Sequence, residues 1–116
     1  MARYRLSRPA QADLAQILGT SAERWGIEAR RRYAALLAAA MRRVAADPEA
    51  AVSHDRSDML PGLRSFHLRH ARGEDRGTRV SRPAHILYYR PVRPGLVEIV
   101  RILHERMDPR RHLSRQ

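Results

Sequence analysis

At 116 residues with 43% hydrophobic side chains, the chain is expected to be one small domain with its own core, not a disordered segment. It has no cysteine, which excludes disulfides and zinc–thiolate centres and suits a reducing, cytoplasmic setting. Its formal net charge is +11, from 23 basic residues that are all arginine, so an anionic partner is expected, either nucleic acid or an acidic protein.

The arginine excess is densest in the second half: residues 1–48 carry nine arginines against four acids, residues 56–116 fourteen against six. Guanidinium makes planar, bidentate contacts to carboxylate and phosphate that an ammonium cannot. A GC-rich coding bias would equally remove lysine, so the choice of arginine alone does not name the partner. No apolar run approaches the roughly 18–20 residues of a membrane span. No apolar stretch follows Met1–Leu6, so neither a signal peptide nor a membrane partner is expected.

Tyr4-Arg-Leu6 alternates and reads as a short first strand. Ser7 followed by Pro9 is a helix start: a capping hydroxyl, then a proline in the first turn, where its missing N–H costs little. Leu14, Ile17, Leu18, Ala22 and Trp25 follow at helical spacing, and Gly26 stands where a left-handed C-cap belongs. A second helix is predicted over Ile27–Ala46, with the stripe Tyr33, Leu36, Leu37, Ala40, Met41 and Val44, stopped by Asp47-Pro48. With almost nothing between them, the two helices should form an antiparallel hairpin with facing stripes. Ala34, Ala35, Ala38, Ala39, Ala45 and Ala46 keep the rest of the second helix small. Either alanine serves as the best helix former, or these residues let a partner helix approach while Arg30, Arg31, Arg42 and Arg43 hold its acids.

Residues 49–61 read as a loop. Three apolar strands follow at roughly 63–69, 84–90 and 96–104, the last two joined by the turn Pro91-Val-Arg-Pro-Gly95. The link His70–Pro83 contains two glycines and four arginines and is expected to be an exposed loop or a hairpin tip. Residues 1–108 then form the domain and 109–116 a basic, flexible tail. The order strand, helix, helix, three strands predicts an α+β fold of two layers. In it the helical hairpin covers one face of a mainly antiparallel sheet, and the other face, or the edge beside the tail, is open for function.

Arg64, Arg101, His104 and the Tyr88–Tyr89 pair are the candidates for a site. An arginine inside an apolar strand and a histidine at its end are costly unless paired or used. Regular alternation sets Val97, Ile99, Arg101 and Leu103 against Leu96, Val100, Ile102 and His104. Arg101 and His104 then face opposite ways, which argues against a catalytic pair unless a bulge intervenes. An ion pair of Arg101 with Glu98, Glu105 or Asp108 explains it equally well. Asp108 is expected to clamp the tail through Arg106 or Arg110. No metal-protease motif, trusted carboxylate pair or glycine-rich phosphate loop is present, so no metal or cofactor is expected.

Three blocks carry a resemblance: Pro61-Gly-Leu-Arg-Ser-Phe66, His85-Ile-Leu-Tyr-Tyr-Arg90 and Ile99-Val-Arg-Ile-Leu-His-Glu-Arg-Met-Asp108. They resemble the signature blocks of the RelE/ParE superfamily of toxins, on the ParE side. Tyr4-Arg-Leu-Ser7, Ala12-Asp-Leu14, Ile17, Trp25-Gly26, Ala29 and Tyr33 are similar to its first strand and helical hairpin. The resemblance implies a toxin of a type II toxin–antitoxin (plasmid stabilisation) module. It implies inhibition of DNA gyrase by binding, and a ParD-like antitoxin whose acidic helical C-terminal segment wraps the toxin. Target contact is then expected through Arg64, Arg101, His104, Arg106, Met107, Asp108, Arg110 and Arg111, and antitoxin contact through Arg30, Arg31, Tyr33, Leu37 and Arg42. The alternative within the superfamily is a RelE-type, ribosome-dependent mRNA endonuclease using Arg64, His85, Arg101 and His104. That branch brings basic residues and a late tyrosine to the message, whereas here there is no lysine and no tyrosine after Tyr89. A third reading is a nucleic-acid-binding module that works through net charge alone.

Overall fold

The computed structural model describes residues 2–73 and 79–113. Strand β1 (Arg3–Leu6) leads into helices α1 (Arg8–Trp25) and α2 (Ile27–Ala46). Then come β2 (His54–Asp55), β3 (Arg64–His67), a 3-10 turn at Leu68–Ala71, β4 (His85–Arg93), β5 (Leu96–His104) and the short helix α3 (Pro109–Leu113). The strands form one sheet in the order β1-β5-β4-β3-β2. The pair β1–β5 is parallel and the other pairs are antiparallel.

Ser7 fixes the handover from β1 to α1. Its Oγ accepts the Ala10 N–H (3.1 Å) as the N-cap of α1 and donates to the Val100 carbonyl of β5 (2.8 Å). Ser7→Ala removes the cap and a cross-element bond together, and is expected to cost about 1–2 kcal/mol, read as a lower urea midpoint with an unchanged slope. Gly26 alone separates the two helices. Its N–H bonds the Ala22 carbonyl and its own carbonyl takes the Arg30 N–H. Its φ of 91° and ψ of 175° lie outside the left-handed cap region expected from sequence, but still in positive-φ space that favours glycine.

The α1–α2 hairpin covers one sheet face. Leu36, Leu37, Ala40, Met41 and Val44 of α2 pack on Phe66, Leu87, Tyr89, Val97, Ile99 and Ile102. Trp25, expected in the apolar stripe of α1, is instead 73% exposed at its end. Ala39 and Ala45 belong to the core, so the alanines of α2 do not form one open face. On the opposite sheet face Leu63, Tyr88 and Leu103 pack with Leu113 of α3. Residues 109–113, expected as part of a flexible tail, are thus a helix whose last side chain is buried and covers part of the face expected to be open. Asp108 Oδ1 accepts the Arg110 N–H at its start (3.1 Å).

Two strand boundaries differ from expectation. β4 runs on through Pro91 to Arg93, because Pro91 lies beyond the last β3 partner, Tyr89, and has no ladder there to break. β3 ends at His67, where the His67 Nδ1 accepts the Arg69 N–H and starts the 3-10 turn. A β-bulge lies at Val100, since Tyr88 faces Arg101 but Tyr89 faces Ile99. It shifts the alternation of β5, so that Ile102 joins Val97 and Ile99 under the helices and Val100 joins Leu103 on the other side.

Candidate functional site

β1 pairs with β5 only as far as Ile99, which leaves the rest of that edge uncovered. Side chains take over where the strand stops. Ser7 serves the Val100 carbonyl, and Asp13 of α1 accepts the Ile102 N–H (2.9 Å). The same carboxylate receives the Arg101 fork, Nε at 2.8 Å and a terminal nitrogen at 2.8 Å, while Arg101 also donates to the His112 carbonyl of α3 (3.1 Å). Arg101 is therefore a clamp between α1, β5 and α3. Its partner is Asp13, not Glu98, Glu105 or Asp108. Glu98 pairs instead with Arg5 and Arg90.

Beside this clamp a groove of about 1030 Å³ runs between the helical hairpin, the end of β5 and the segment 79–85. Ile17, Tyr33 and Ile102 supply apolar floor, Trp25 and Met107 are exposed apolar groups along it, and Arg24, Arg32, Arg79 and Arg82 stand in its walls. None of these four guanidiniums meets a carboxylate among the described residues. The α1 wall was not anticipated from sequence, although Asp13, Gln16, Ile17, Thr20 and Arg24 recur at helical spacing and so share one face.

Deeper in the groove the polar groups satisfy one another. The Tyr33 hydroxyl accepts the Ala84 N–H (3.1 Å) and bonds His85 Nδ1 (2.6 Å). The His85 ring meets the His104 ring edge-on at 5.3 Å. Burial, then the nearby His104 and His67, push His85 down to about 4, so it is neutral near pH 7. Which of Tyr33 and His85 donates in their shared bond follows the His85 tautomer. The His104 Nδ1 accepts the Arg106 N–H (3.0 Å), which places its ring proton on Nε2. His67 Nε2 bonds the Glu105 carboxylate (2.7 Å), and this hydrogen bond holds Glu105 below the usual carboxylate range. Burial raises the Tyr33 phenol. Among the described residues no cluster of three or more His, Asp or Glu could hold a metal ion.

The residues singled out from sequence therefore scatter. Arg101 and His104 stay on opposite faces of β5, because the bulge precedes both, yet both reach the groove along its free edge. His85 joins them. Arg64 does not: it lies on β3 opposite Tyr89, half-buried, with its guanidinium on Ser53 (2.8 Å to Oγ). Tyr33 and Met107 line the groove. Arg106, Asp108, Arg110 and Arg111 form an exposed run beside it, with Arg110 paired to Asp58 (2.7 Å). Of the other residues assigned to antitoxin contact, Leu37 is 1% exposed in the core. Arg30, Arg31 and Arg42 are exposed outside the groove, Arg31 pairing with Glu28 (3.2 Å).

Residues 4–109 match the family described as "ParE toxin of type II toxin-antitoxin system, parDE". The chain is 34% identical over 111 residues to a Toxin ParE1 of Mycobacterium tuberculosis, covering 96% of this chain and 97% of that protein. It is 37% identical over 115 residues to a Toxin ParE1 of Caulobacter vibrioides, covering 98% and 100%. A solved structure described as "Chromosomal ParDE TA system from P. aeruginosa" shares the fold, with a TM-score of 0.62 at 18% identity over 90% of this chain and 96% of the other. The strand–hairpin–sheet order, the near full-length family match and these relatives agree: the chain belongs to the ParE toxin family of type II toxin–antitoxin systems.

Proposed function

We propose that this toxin acts by binding DNA gyrase, without breaking a bond itself, and that a ParD-like antitoxin neutralises it by laying an acidic helical segment in the groove. The groove carries the antitoxin part of this reading. An apolar floor walled by four arginines that have no carboxylate partner among the described residues suits an amphipathic helix with acids on its flanks: burial supplies affinity, and charge supplies rate and register. The solved relative described as a ParDE system supports such a pairing.

The protonation pattern favours a binder over a nuclease. A metal-free ribonuclease needs a base near the 2′-hydroxyl. The His104 Nδ1 lone pair is taken by the Arg106 N–H and the His85 Nδ1 is held by the Tyr33 hydroxyl, so neither of these nitrogens is free to act as a base. The Arg101 charge is spent on Asp13, and Arg64 is absent from the groove. The contact assigned to gyrase is the exposed run Arg106, Asp108, Arg110 and Arg111 beside the groove, with Met107 at its rim.

Trp25 is the single tryptophan of the chain, and it stands exposed in the groove wall. Saturation with the acidic antitoxin segment is expected to shift its emission to the blue. The Arg24→Gln, Arg32→Gln double variant is expected to weaken binding about tenfold at low salt, with a shallower salt dependence. A complex that forms with unchanged Trp25 emission and unchanged affinity of the double variant would place the antitoxin elsewhere.

A further inference from the structure

A smaller recess of about 400 Å³ adjoins the groove and shares Ser81, Arg82, Ala84 and His104 with it. Arg69 and Arg72 come to it from the turn after β3, Arg82 from the link before β4, and Arg106 from the end of β5. Four guanidinium groups thus face one carboxylate, Glu105, which is already engaged by His67 at 2.7 Å. Arg72 donates to the Ser81 carbonyl (2.7 Å) and ties the two sides of the link together. The side chains of Arg69, Arg82 and Arg106 have no hydrogen-bond or ion-pair partner among the described residues, and all three are exposed. His104 adds a fourth donor, since its Nδ1 is occupied by the Arg106 N–H and its Nε2 carries the proton. Sequence-distant arginines gathered around one space repel one another, and the core does not need them. A bound anion turns that repulsion into attraction.

We propose that this recess binds the phosphodiester backbone of a nucleic-acid strand. A carboxylate has two oxygens, which one guanidinium fork satisfies. Three unpaired forks and an imidazole N–H spread around one recess exceed what one carboxylate takes, and suit the non-bridging oxygens of successive phosphodiesters along a strand. No tyrosine, phenylalanine or tryptophan lines the recess, so the base of a free nucleotide would have nothing to stack on, whereas a strand backbone needs only the charge. The recess shares Arg106 with the contact assigned to gyrase, and strand binding is therefore read without gyrase present.

The test is fluorescence anisotropy of a labelled single-stranded oligonucleotide with the full chain over a series of salt concentrations. Arg69→Gln, Arg82→Gln, Arg106→Gln is compared with a charge-matched variant at the far end of the sheet, Arg3→Gln, Arg8→Gln, Arg93→Gln. The recess variant is expected to weaken binding about tenfold or more and to flatten the slope of log K against log salt by about two to three, while the control changes little. Should the triple variant melt early, single Arg82→Gln and Arg106→Gln are expected to read the same effect at about twofold to threefold each. Equal losses in both triple variants would mean that net charge alone binds the strand, and would overturn the site. So would a recess variant that keeps strand binding but loses binding of a glutamate-rich peptide, which would assign the recess to a protein partner. Inorganic phosphate at matched ionic strength is expected to compete better than chloride but far more weakly than an unlabelled strand. Displacement by free phosphate as effective as displacement by the unlabelled strand would overturn the strand as the ligand.

Discussion

Asp13→Ala is expected to cost about 2–4 kcal/mol of folding stability, since it breaks a partly buried ion pair and leaves a backbone N–H unpaired. The Asp13 side chain is 11% exposed and that of Arg101 21%. Asp13 accepts three bonds: two from the Arg101 fork and one from the Ile102 N–H. Alanine strands the guanidinium between α1 and α3 and orphans a backbone donor at the point where β1 no longer covers β5. Asp13→Asn keeps one acceptor oxygen and is expected to cost less. Urea unfolding of Asp13→Ala, Arg101→Ala and the double variant measures the coupling. The double variant should be well short of additive, because the second substitution removes a charge already abandoned. Additive losses, or an Asp13→Ala cost under about 1 kcal/mol, would show that the clamp does not hold the edge of β5.

Acid is expected to weaken the fold through His85 before it protonates the carboxylates. His85 has an ordinary value of 6.5 and a folded value of about 4. The unfolded chain therefore binds the extra proton first, and stability rises with pH in that window. The contribution is fully present above about pH 6.5, falls as pH drops and is exhausted near pH 4, a total of about 3 kcal/mol. Facing His85 are Tyr33 from α2, His104 and Glu105 from the end of β5, His67 from β3 and, more distantly, Asp13 from α1. Only burial and the two histidines push it down; the two acids push weakly the other way. The depressed carboxylates act at the acid edge of this window and below it, Glu105 from its ordinary 4.5 downward and Asp55 from 3.8 downward. Thermal melts from neutral pH to pH 4 are expected to show a fall in Tm that His85→Gln largely removes. A Tm that stays flat between pH 6.5 and 4 in the unsubstituted chain would mean that His85 is not held neutral.

What the sequence made legible follows from how local each signal is. α2 lies over Ile27–Ala46 as predicted, because Gly26 and Asp47-Pro48 punctuate an unbroken apolar stripe. Ser7 and Pro9 likewise marked the start of α1. The two-residue β2 is too short to carry a period, and it exists only because β3 offers an edge. The Val100 bulge leaves no mark in an apolar strand, so the faces of β5 after Ile99 were misassigned until its partners were known. Leu113 looked like tail because one leucine among arginines has no periodicity. Its burial depends on Leu63, Tyr88 and Leu103, all remote in sequence.

The site was harder to read for the same reason. That Arg101 needed a partner was evident from its apolar surroundings, but Asp13 lies 88 residues away and no spacing rule points to it. Arg30, Arg31, Arg42 and Arg43 of α2 were expected to hold a partner's acids, whereas the groove takes Arg24 of α1, Arg32 of α2, and Arg79 and Arg82 from the link. Tyr33 was expected in the apolar stripe of α2, and His104 stood out at the end of an apolar strand. Their roles rest on hydrogen bonds to His85 and Arg106 that only the tertiary structure brings about.

The central claim is that this ParE-family toxin works by occupying gyrase. Its most direct test is ATP-dependent supercoiling of a relaxed plasmid by purified gyrase, with the toxin titrated in. The account predicts that supercoiling is lost as the toxin saturates gyrase and recovers when the antitoxin is added. Supercoiling that persists unchanged at micromolar toxin would contradict it.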